Sequence, residues 1–279
     1  MKKSFKKYFQ GTSIVSLILL ASLAILTACE EVIDIDTDNI DQKIVIDGAI
    51  TDSPGGSRVL ISRTVNAFKS GGEQKVSGAT VIVSDDTGNS ESLIESSSGK
   101  YSFSSMNAQQ GRTYNIKVVY GGKEYTGVST LSSPMQIDSI KFVQTDSYSI
   151  WFWAFSSYTT RLYLKNRPGI DEYCVIKISD GDNSSTIVYQ DKFAHDEPIV
   201  LEETNTTFQY NETVTVELLT IDKNAYEYFF RLNELSDEDG LDIPEILNIN
   251  TYNPKSNLSN GALGYFYAYS YKKYTATVK

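Results

Sequence analysis

Short stretches in which apolar and polar residues alternate follow one another along most of the chain. Thr113–Tyr120 shows this pattern, and Lys43–Ile50, Arg58–Thr64 and Ala79–Ser84 are further apolar-rich stretches of strand length. Asp52–Gly56, between Lys43–Ile50 and Arg58–Thr64, is rich in turn-forming residues. Such alternation predicts β-strands, because successive side chains of a strand point to opposite faces of the sheet. Short strands spaced by roughly 8–12 residues are typical of antiparallel sandwiches. The pattern therefore predicts a β-sandwich domain over residues 43–131.

The second half of the chain continues with strands and adds one helix. A turn-rich break at residues 132–136 acts as the predicted linker, and Glu172–Ser179 and Thr213–Ile221 are predicted strands. Aromatic residues three and four positions apart predict an amphipathic helix over residues 224–237, which docks its apolar face on a sheet. We therefore predict a second, β-rich domain with one packed helix over residues 137–279.

One part of the first domain resembles known sandwich families. Val76–Val83, followed by Gly99-Lys100-Tyr101, is similar to the carboxypeptidase-regulatory and transthyretin-like sandwiches. A glycine at this place lets the chain turn tightly before a core tyrosine. The predicted fold class is mainly β, with an N-terminal Ig-like or transthyretin-like antiparallel sandwich and a second β-rich domain that carries the helix.

The N-terminus has the features of a secretory signal peptide, predicted over residues 1–28. Lysines precede an apolar run of about 13 residues, Ile14–Leu26, and Leu26-Thr27-Ala28-Cys29 resembles a lipobox. The resemblance implies cleavage before Cys29 and lipidation of that cysteine. A membrane-spanning helix would need roughly 20 apolar residues, which disfavours the alternative of a transmembrane anchor.

The residues after the cysteine form a predicted acidic tether, residues 29–42. Glu30-Glu31 resembles the surface-export signal of Bacteroidota lipoproteins, which implies a location on the outer face of the outer membrane; the alternative is an ordinary solvated tether. Removing the four lysines of the signal peptide changes the formal charge from −10 to −14. This acidic balance argues against nucleic acid as a partner.

Residues that could carry catalysis or hold a metal are few. His195 is the only histidine, which excludes sites with several histidines and predicts a surface side chain. Cys174 lies in an apolar stretch and is predicted to pack as a small hydrophobic residue. Asp237, Asp239 and Asp242 are calcium candidates, with a solvated acidic loop as the alternative. We expect no enzyme activity and no cofactor.

Two further stretches carry candidate sites. Trp151 and Trp153 lie in an apolar, aromatic strand, Tyr148–Phe155, which is either a central core strand or an aromatic platform that binds a sugar or a peptide. Asp138-Ser139-Ile140 resembles the Bacteroidota O-glycosylation signal, with Ser139 as acceptor, and the alternative is a strand start whose serine contacts backbone. The turn-rich segment 240–261 is a second candidate for ligand binding.

Several blocks together resemble one family over essentially the whole mature chain. In their order along the chain, these blocks are the acidic tether, Lys43–Ile50, Gly78–Val81, Ile137–Ile140, Ala225–Phe229 and Asn257–Phe266. The chain is similar to Bacteroidota lipoproteins filed as domain of unknown function 4249. This resemblance implies an outer-membrane lipoprotein, often encoded near TonB-dependent transporters, and it supplies no catalytic residues.

The function expected from this resemblance is non-enzymatic. The chain would capture a nutrient ligand, or dock, as an accessory of a TonB-dependent transporter, anchored in the outer membrane through lipidated Cys29. A structural or adhesive surface lipoprotein is the first alternative, and an extracellular hydrolase is the second. A cleft with converging carboxylates would favour the hydrolase.

Overall fold

The computed structural model describes residues 42–65, 74–150, 153–191, 199–236 and 253–279. Residues 41–279 form one compact unit. Within the described residues the chain is mainly β, with sixteen strands and one helix. The predicted fold class is confirmed in this respect.

The first nine strands precede the predicted linker. They are β1 (Ile44–Thr51), β2 (Arg58–Arg63), β3 (Gln74–Lys75), β4 (Thr80–Asp85), β5 (Ser90–Ser92), β6 (Ile94–Ser97), β7 (Lys100–Ser102), β8 (Thr113–Tyr120) and β9 (Lys123–Thr130). The remaining elements are β10 (Ile137–Ile150), β11 (Trp153–Leu164), β12 (Glu172–Ser179), β13 (Ser184–Asp191), β14 (Ile199–Gln209), β15 (Thr213–Ile221), α1 (Lys223–Ser236) and β16 (Leu263–Thr277). The helix lies within one residue of its predicted bounds.

The strands form one large sheet and two small ones. The large sheet has nine strands in the order β13-β12-β15-β16-β1-β2-β7-β6, and β3 pairs with β2. The small sheets have the orders β10-β11-β14 and β5-β4-β8-β9. The pair formed by β1 and β16 is parallel, and the other strand pairs of the described residues are antiparallel. The large sheet is the central layer of the unit.

The two small sheets cover the same face of the large sheet. Ile46 and Phe266 of the large sheet pack with Ile116 of β8 in one core cluster. Val216 packs with Leu162 of β11 in a second cluster. Alternation along β16 places its even-numbered residues on one face, and β16 contributes Phe266 to the first cluster and Tyr274 to the second. This face therefore carries most of the apolar core.

The opposite face is aromatic and lies under the helix. Tyr265, Tyr267 and Tyr269 alternate with the core residues of β16 and are buried with residues of α1 in a third cluster. The helix begins after Asp222, whose carboxylate Oδ1 accepts a hydrogen bond from the backbone N–H of Ala225 at 2.8 Å. This is the side-chain cap that a helix N-terminus requires. The cap fixes where α1 starts on the sheet.

The structure differs from the predicted division into two β domains at residues 132–136. Strands β1, β2, β6 and β7 share the large sheet with β12, β13, β15 and β16, although the two groups lie on different sides of the predicted linker. Leu258 and Ala262 also pack in the core of the predicted first domain, in the same cluster as Ile116. The prediction assumed that strands pair with neighbours in the chain, whereas β16 returns from the far end of the sequence to pair with β1.

A glycine permits this close approach of β16 to β1. Gly264 has a positive φ of 84°, which residues with a side chain rarely adopt. A Cβ atom at this position would overlap the backbone carbonyl of Ile46 on β1. Gly261, three residues earlier, has a φ of 70°, but a Cβ atom there would meet nothing within 4 Å. Both glycines relieve φ strain, and only Gly264 also makes room for β1.

We expect Gly264→Ala to destabilise the protein more than the control Gly261→Ala. The left-handed conformation should cost each variant about 1–2 kcal/mol of the free energy of unfolding. Gly264→Ala should lose about 1–3 kcal/mol more, because its methyl group overlaps the β1 backbone. Urea denaturation of the purified variants measures both losses. Equal losses in the two variants would contradict a steric role for Gly264 in the β1–β16 pair.

Candidate functional site

The aromatic face of the large sheet is only partly covered by α1, and two clefts border the helix. The Tyr228 and Tyr265 ring centroids are 4.5 Å apart, and Phe229 meets Tyr267 edge to face at 5.0 Å. These contacts hold the helix on the strand. The clefts lie where the rings of α1 and β16 meet solvent.

The first cleft, which we call the polar cleft, has a volume of about 870 Å³. This lies in the range of small-molecule sites, roughly 300–1,000 Å³. Its lining combines apolar and aromatic side chains with hydroxyl and amide groups: Val175, Lys177, Ser184, Ser185, Thr186, Val188, Asn205, Thr206, Leu219, Phe229, Leu232, Asn233 and Tyr267. The cleft therefore offers an apolar surface beside uncharged hydrogen-bonding groups.

A bulge in β14 brings two of these polar residues to the cleft. Tyr158 pairs with Phe208, and Thr160 pairs with Glu203. Between these two pairs β11 has one residue, whereas β14 has the four residues 204–207. The buried carboxylate of Glu203 accepts hydrogen bonds from the backbone N–H groups of Asn205 at 2.9 Å and Thr206 at 3.0 Å. Bulges commonly redirect side chains beside functional sites. Glu203 thus fixes the backbone that presents Asn205 and Thr206.

The turn between β12 and β13 forms the adjoining rim. Asp180 accepts hydrogen bonds from the backbone N–H groups of Asp182 at 2.9 Å and Asn183 at 2.7 Å. The Asn183 backbone N–H, followed by its side-chain amide, lowers the pKa of Asp180, so this carboxylate stays charged and holds the turn. The hydroxyl oxygen of Ser185, which lines the cleft, is buried and has no hydrogen-bond partner within the described residues.

The second cleft, which we call the basic cleft, has a volume of about 830 Å³. Cations, amides and aromatic rings line it: Gln190, Lys223, Asn224, Tyr226, Glu227, Tyr228, Phe230, Arg231, Lys255, Ser256, Asn257 and Tyr265. Three of these residues are cationic and one, Glu227, is acidic. The local charge is therefore opposite in sign to the net charge of the chain, −10.

Asn257 fixes the segment that forms one wall of the basic cleft. Its side-chain NH₂ donates to the carbonyl oxygens of Phe266 at 2.7 Å and Val128 at 2.9 Å. Its Oδ1 accepts from the backbone N–H of Phe266 at 3.0 Å. These bonds tie residues 253–262 to β16 and β9, and they place Lys255 beside the helix.

Several residues singled out in the sequence lie outside the described part of the structure. These are Cys29, Trp151, His195, Asp237, Asp239 and Asp242. The backbone of Trp153 begins β11 and pairs with Ile150, while its side chain is outside the described part. Lipidation, the tryptophan platform and the calcium site remain predictions.

Ser139 and Cys174 are described. Ser139 is half-buried in β10, an edge strand, and pairs with Tyr163 just after a bulge at Asp138. Its glycosylation stays a prediction. Cys174 is fully buried, as predicted, and burial together with the charge of Glu172 raises the pKa of its thiol. The thiol therefore packs as an apolar group.

The turn-rich segment 240–261, a predicted candidate for ligand binding, contributes Lys255, Ser256 and Asn257 to the basic cleft, whereas the polar cleft was not predicted. The alternating tyrosines Tyr265, Tyr267, Tyr269 and Tyr271 were a usable signal, because four rings on one face of a strand are unusual for a plain core. Asn205 and Thr206 gave no comparable signal. Their position depends on the β14 bulge and on Glu203, neither of which the alternation pattern shows.

No three His, Cys, Asp or Glu side chains in the described part of the chain are grouped so that they could hold a metal ion. In the same ranges, no helix has both the length and the apolar character needed to cross a membrane.

Comparison with known proteins gives one family. Residues 30–275 match the model of the family described as Domain of unknown function (DUF4249). This confirms the resemblance drawn from blocks such as Asn257–Phe266. No curated protein matches the chain.

We expect Glu203→Ala to destabilise the protein and the neighbouring control Glu202→Ala to have little effect. Removing the Glu203 carboxylate leaves the N–H groups of Asn205 and Thr206 without their acceptor, which should cost about 1–3 kcal/mol. The Glu202 side chain is 54% exposed and pairs with Arg161 on the surface, so its loss should cost less than about 1 kcal/mol. Urea denaturation measures both, and a small loss in Glu203→Ala would show that the bulge does not depend on this carboxylate.

Proposed function

The chain belongs to this family of unknown function, and from that premise we propose that it is a surface-exposed outer-membrane lipoprotein that captures a ligand. It is anchored by lipid on Cys29, ahead of the folded unit that begins at β1. It acts without catalysis, as an accessory of a TonB-dependent transporter. The observation that carries the capture function is the polar cleft.

The chemistry of the polar cleft favours binding over reaction. Its described lining contains Lys177 and Tyr267 as ionisable side chains and no carboxylate. General acid–base catalysis needs ionisable groups held beside the reacting atoms. Hydroxyl and amide groups beside an aromatic ring instead suit a ligand that has both hydrogen-bonding groups and an apolar surface, such as a neutral oligosaccharide or a peptide.

The location and the transporter partner rest on other observations. The sequence Leu26-Thr27-Ala28-Cys29 supports the lipid anchor, and Glu30-Glu31 supports export to the cell surface. Two or more acyl chains hold a protein firmly on a membrane. The transporter comes from what the family resemblance implies. In this arrangement the lipoprotein would hold a nutrient close to the transporter that imports it.

We expect Asn205→Ala to weaken the binding of a neutral oligosaccharide at least fivefold. Loss of one hydrogen bond between an uncharged side chain and a ligand is worth roughly 1 kcal/mol, which corresponds to about this factor. Isothermal titration with a panel of neutral hexasaccharides identifies a binding probe and then compares the variants. Asn115, exposed on β8 and outside both clefts, provides the control Asn115→Ala. A probe that binds both variants equally well would refute the assignment of the polar cleft.

We expect the protein isolated from native outer membranes in mild detergent to carry lipid on Cys29 and to bring a TonB-dependent transporter with it. Mass spectrometry measures the lipid and the companion protein. Cys29→Ala should lack the acyl mass and be absent from the outer-membrane fraction, because the residue that takes the lipid and defines the lipoprotein cleavage site is lost. Recovery of the lipidated protein without a transporter would refute an obligate transporter subunit and leave the anchor intact.

A further inference from the structure

We propose that the basic cleft is a binding site for a small organic anion, a ring compound that carries a carboxylate or another oxyanion group. Lys223 and Lys255 receive the oxyanion, and the aromatic residues beside them contact the ring. The site is separate from the polar cleft, so failure of one assignment leaves the other standing.

Charge is the first observation. Lys223 and Lys255 are exposed at the cleft and form no ion pair within the described ranges of the chain. Arg231 is paired with Glu234 at 2.8 Å, and both side chains are largely exposed, so solvent screens this pair. The two unpaired lysines outnumber the one carboxylate of Glu227 that also lines the cleft, so they form a local positive site in a chain of net charge −10.

The start of α1 adds little to this positive character. Its first turn contains no acidic residue, but Asp222 just before it caps the helix. Its Oδ1 accepts from Ala225, and its Oδ2 accepts from the backbone N–H of Thr130 at 3.0 Å and from the hydroxyl of Ser129. Because the capping carboxylate offsets the partial positive charge of the helix N-terminus, the positive character of the cleft rests on the lysines.

Two nearly buried tyrosines provide the second, independent observation. Tyr265 is 4% exposed and Tyr226 is 8% exposed, yet both line the cleft. Neither hydroxyl makes a hydrogen bond with a described residue, and both side chains lie at the wall of the cleft. Burial raises the pKa of both hydroxyls, so each keeps its proton and donates to an acceptor. An oxyanion is such an acceptor.

The remaining aromatic residues indicate that the anion is attached to a ring. Phe230 is 39% exposed at the cleft, and its ring lies 5.7 Å from that of Tyr226. Tyr228 is half-buried against Tyr265. A hydrated inorganic ion gains little from such surfaces, whereas the apolar face of a sugar or aromatic ring packs against them. We therefore assign an acidic sugar or a similar ring acid rather than a free inorganic ion.

The test compares four probes by isothermal titration at low salt: digalacturonate, glucose 6-phosphate, neutral galactobiose and inorganic phosphate alone. The ring-bearing anions should bind at least tenfold more tightly than galactobiose and than inorganic phosphate, and the affinity should fall as salt is raised. The first two probes distinguish a carboxylate from a phosphate as the preferred group. Equal affinity for galactobiose overturns the role of charge, and equal affinity for inorganic phosphate overturns the role of the ring.

Variants assign the binding to this cleft. The double variant Lys223→Gln with Lys255→Gln should lower the affinity for the preferred anion at least tenfold. The matched control, Lys75→Gln with Lys100→Gln, removes the same charge from exposed positions outside the cleft and should change the affinity less than twofold. Tyr265→Phe, which removes only the hydroxyl, should lower the affinity about threefold or more. Equal losses in the two double variants would overturn the assignment, and urea denaturation checks that all variants fold.

Discussion

The parallel pairing of β1 with β16 is the constraint on which the rest of the structure depends. It joins a strand at residue 44 to a strand that begins at residue 263, with Asp47 opposite Tyr265 and Ile50 opposite Ala268. In the sheet, β2, β7 and β6 lie beyond β1 on one side, and β15, β12 and β13 lie beyond β16 on the other. The β1–β16 pair therefore joins two groups of strands into one sheet. Gly264 allows the two backbones to approach, since any Cβ atom there would overlap β1.

The register of this pair also decides which residues meet the helix. A shift by one residue would turn the tyrosines of β16 toward the small sheets and Phe266 toward α1. Gly48 on β1, which is paired with Phe266, leaves room for the observed register, because a Cβ atom there would lie 2.8 Å from the ring of Phe266. The aromatic face, and with it both clefts, is thus a consequence of close packing on the opposite face of the same strand.

Much of the secondary structure could be predicted from the sequence, whereas the pairing could not. Alternation identifies strands such as β8, apolar content identifies β1, and the spacing of Tyr226, Phe229 and Phe230 identifies α1, because these signals are local. The partner of a strand is not a local property. Nothing in the alternation of residues 44–51 indicates that their partner lies at residues 263–269. The predicted two-domain division failed for this reason. The candidate segment 240–261 does contribute residues such as Lys255 to the basic cleft, but the distant segments that complete each cleft could not be anticipated.

A buried polar connection sets the position of α1 over the sheet. The Ser129 hydroxyl of β9 donates to the Asp222 carboxylate, and it accepts from the backbone N–H of Ala268 on β16 at 2.9 Å. The same carboxylate caps the helix at Ala225. One small network therefore links a small sheet, the large sheet and the helix start. Buried groups of this kind are costly when unpaired, which favours a single placement of the helix.

The two faces of the large sheet consequently have different roles. Two sheets cover the first face and bury residues such as Ile46 and Val216 completely. One helix of fourteen residues covers the second face only in part, so the residues at its margins must suit both a packed interior and water. Tyrosine meets both demands, since its ring packs while its hydroxyl reaches the rim. Tyr265 and Tyr267 are each nine-tenths buried and still line a cleft. The incomplete cover by α1 thus leaves a recess on each side of the helix, lined by tyrosines of β16.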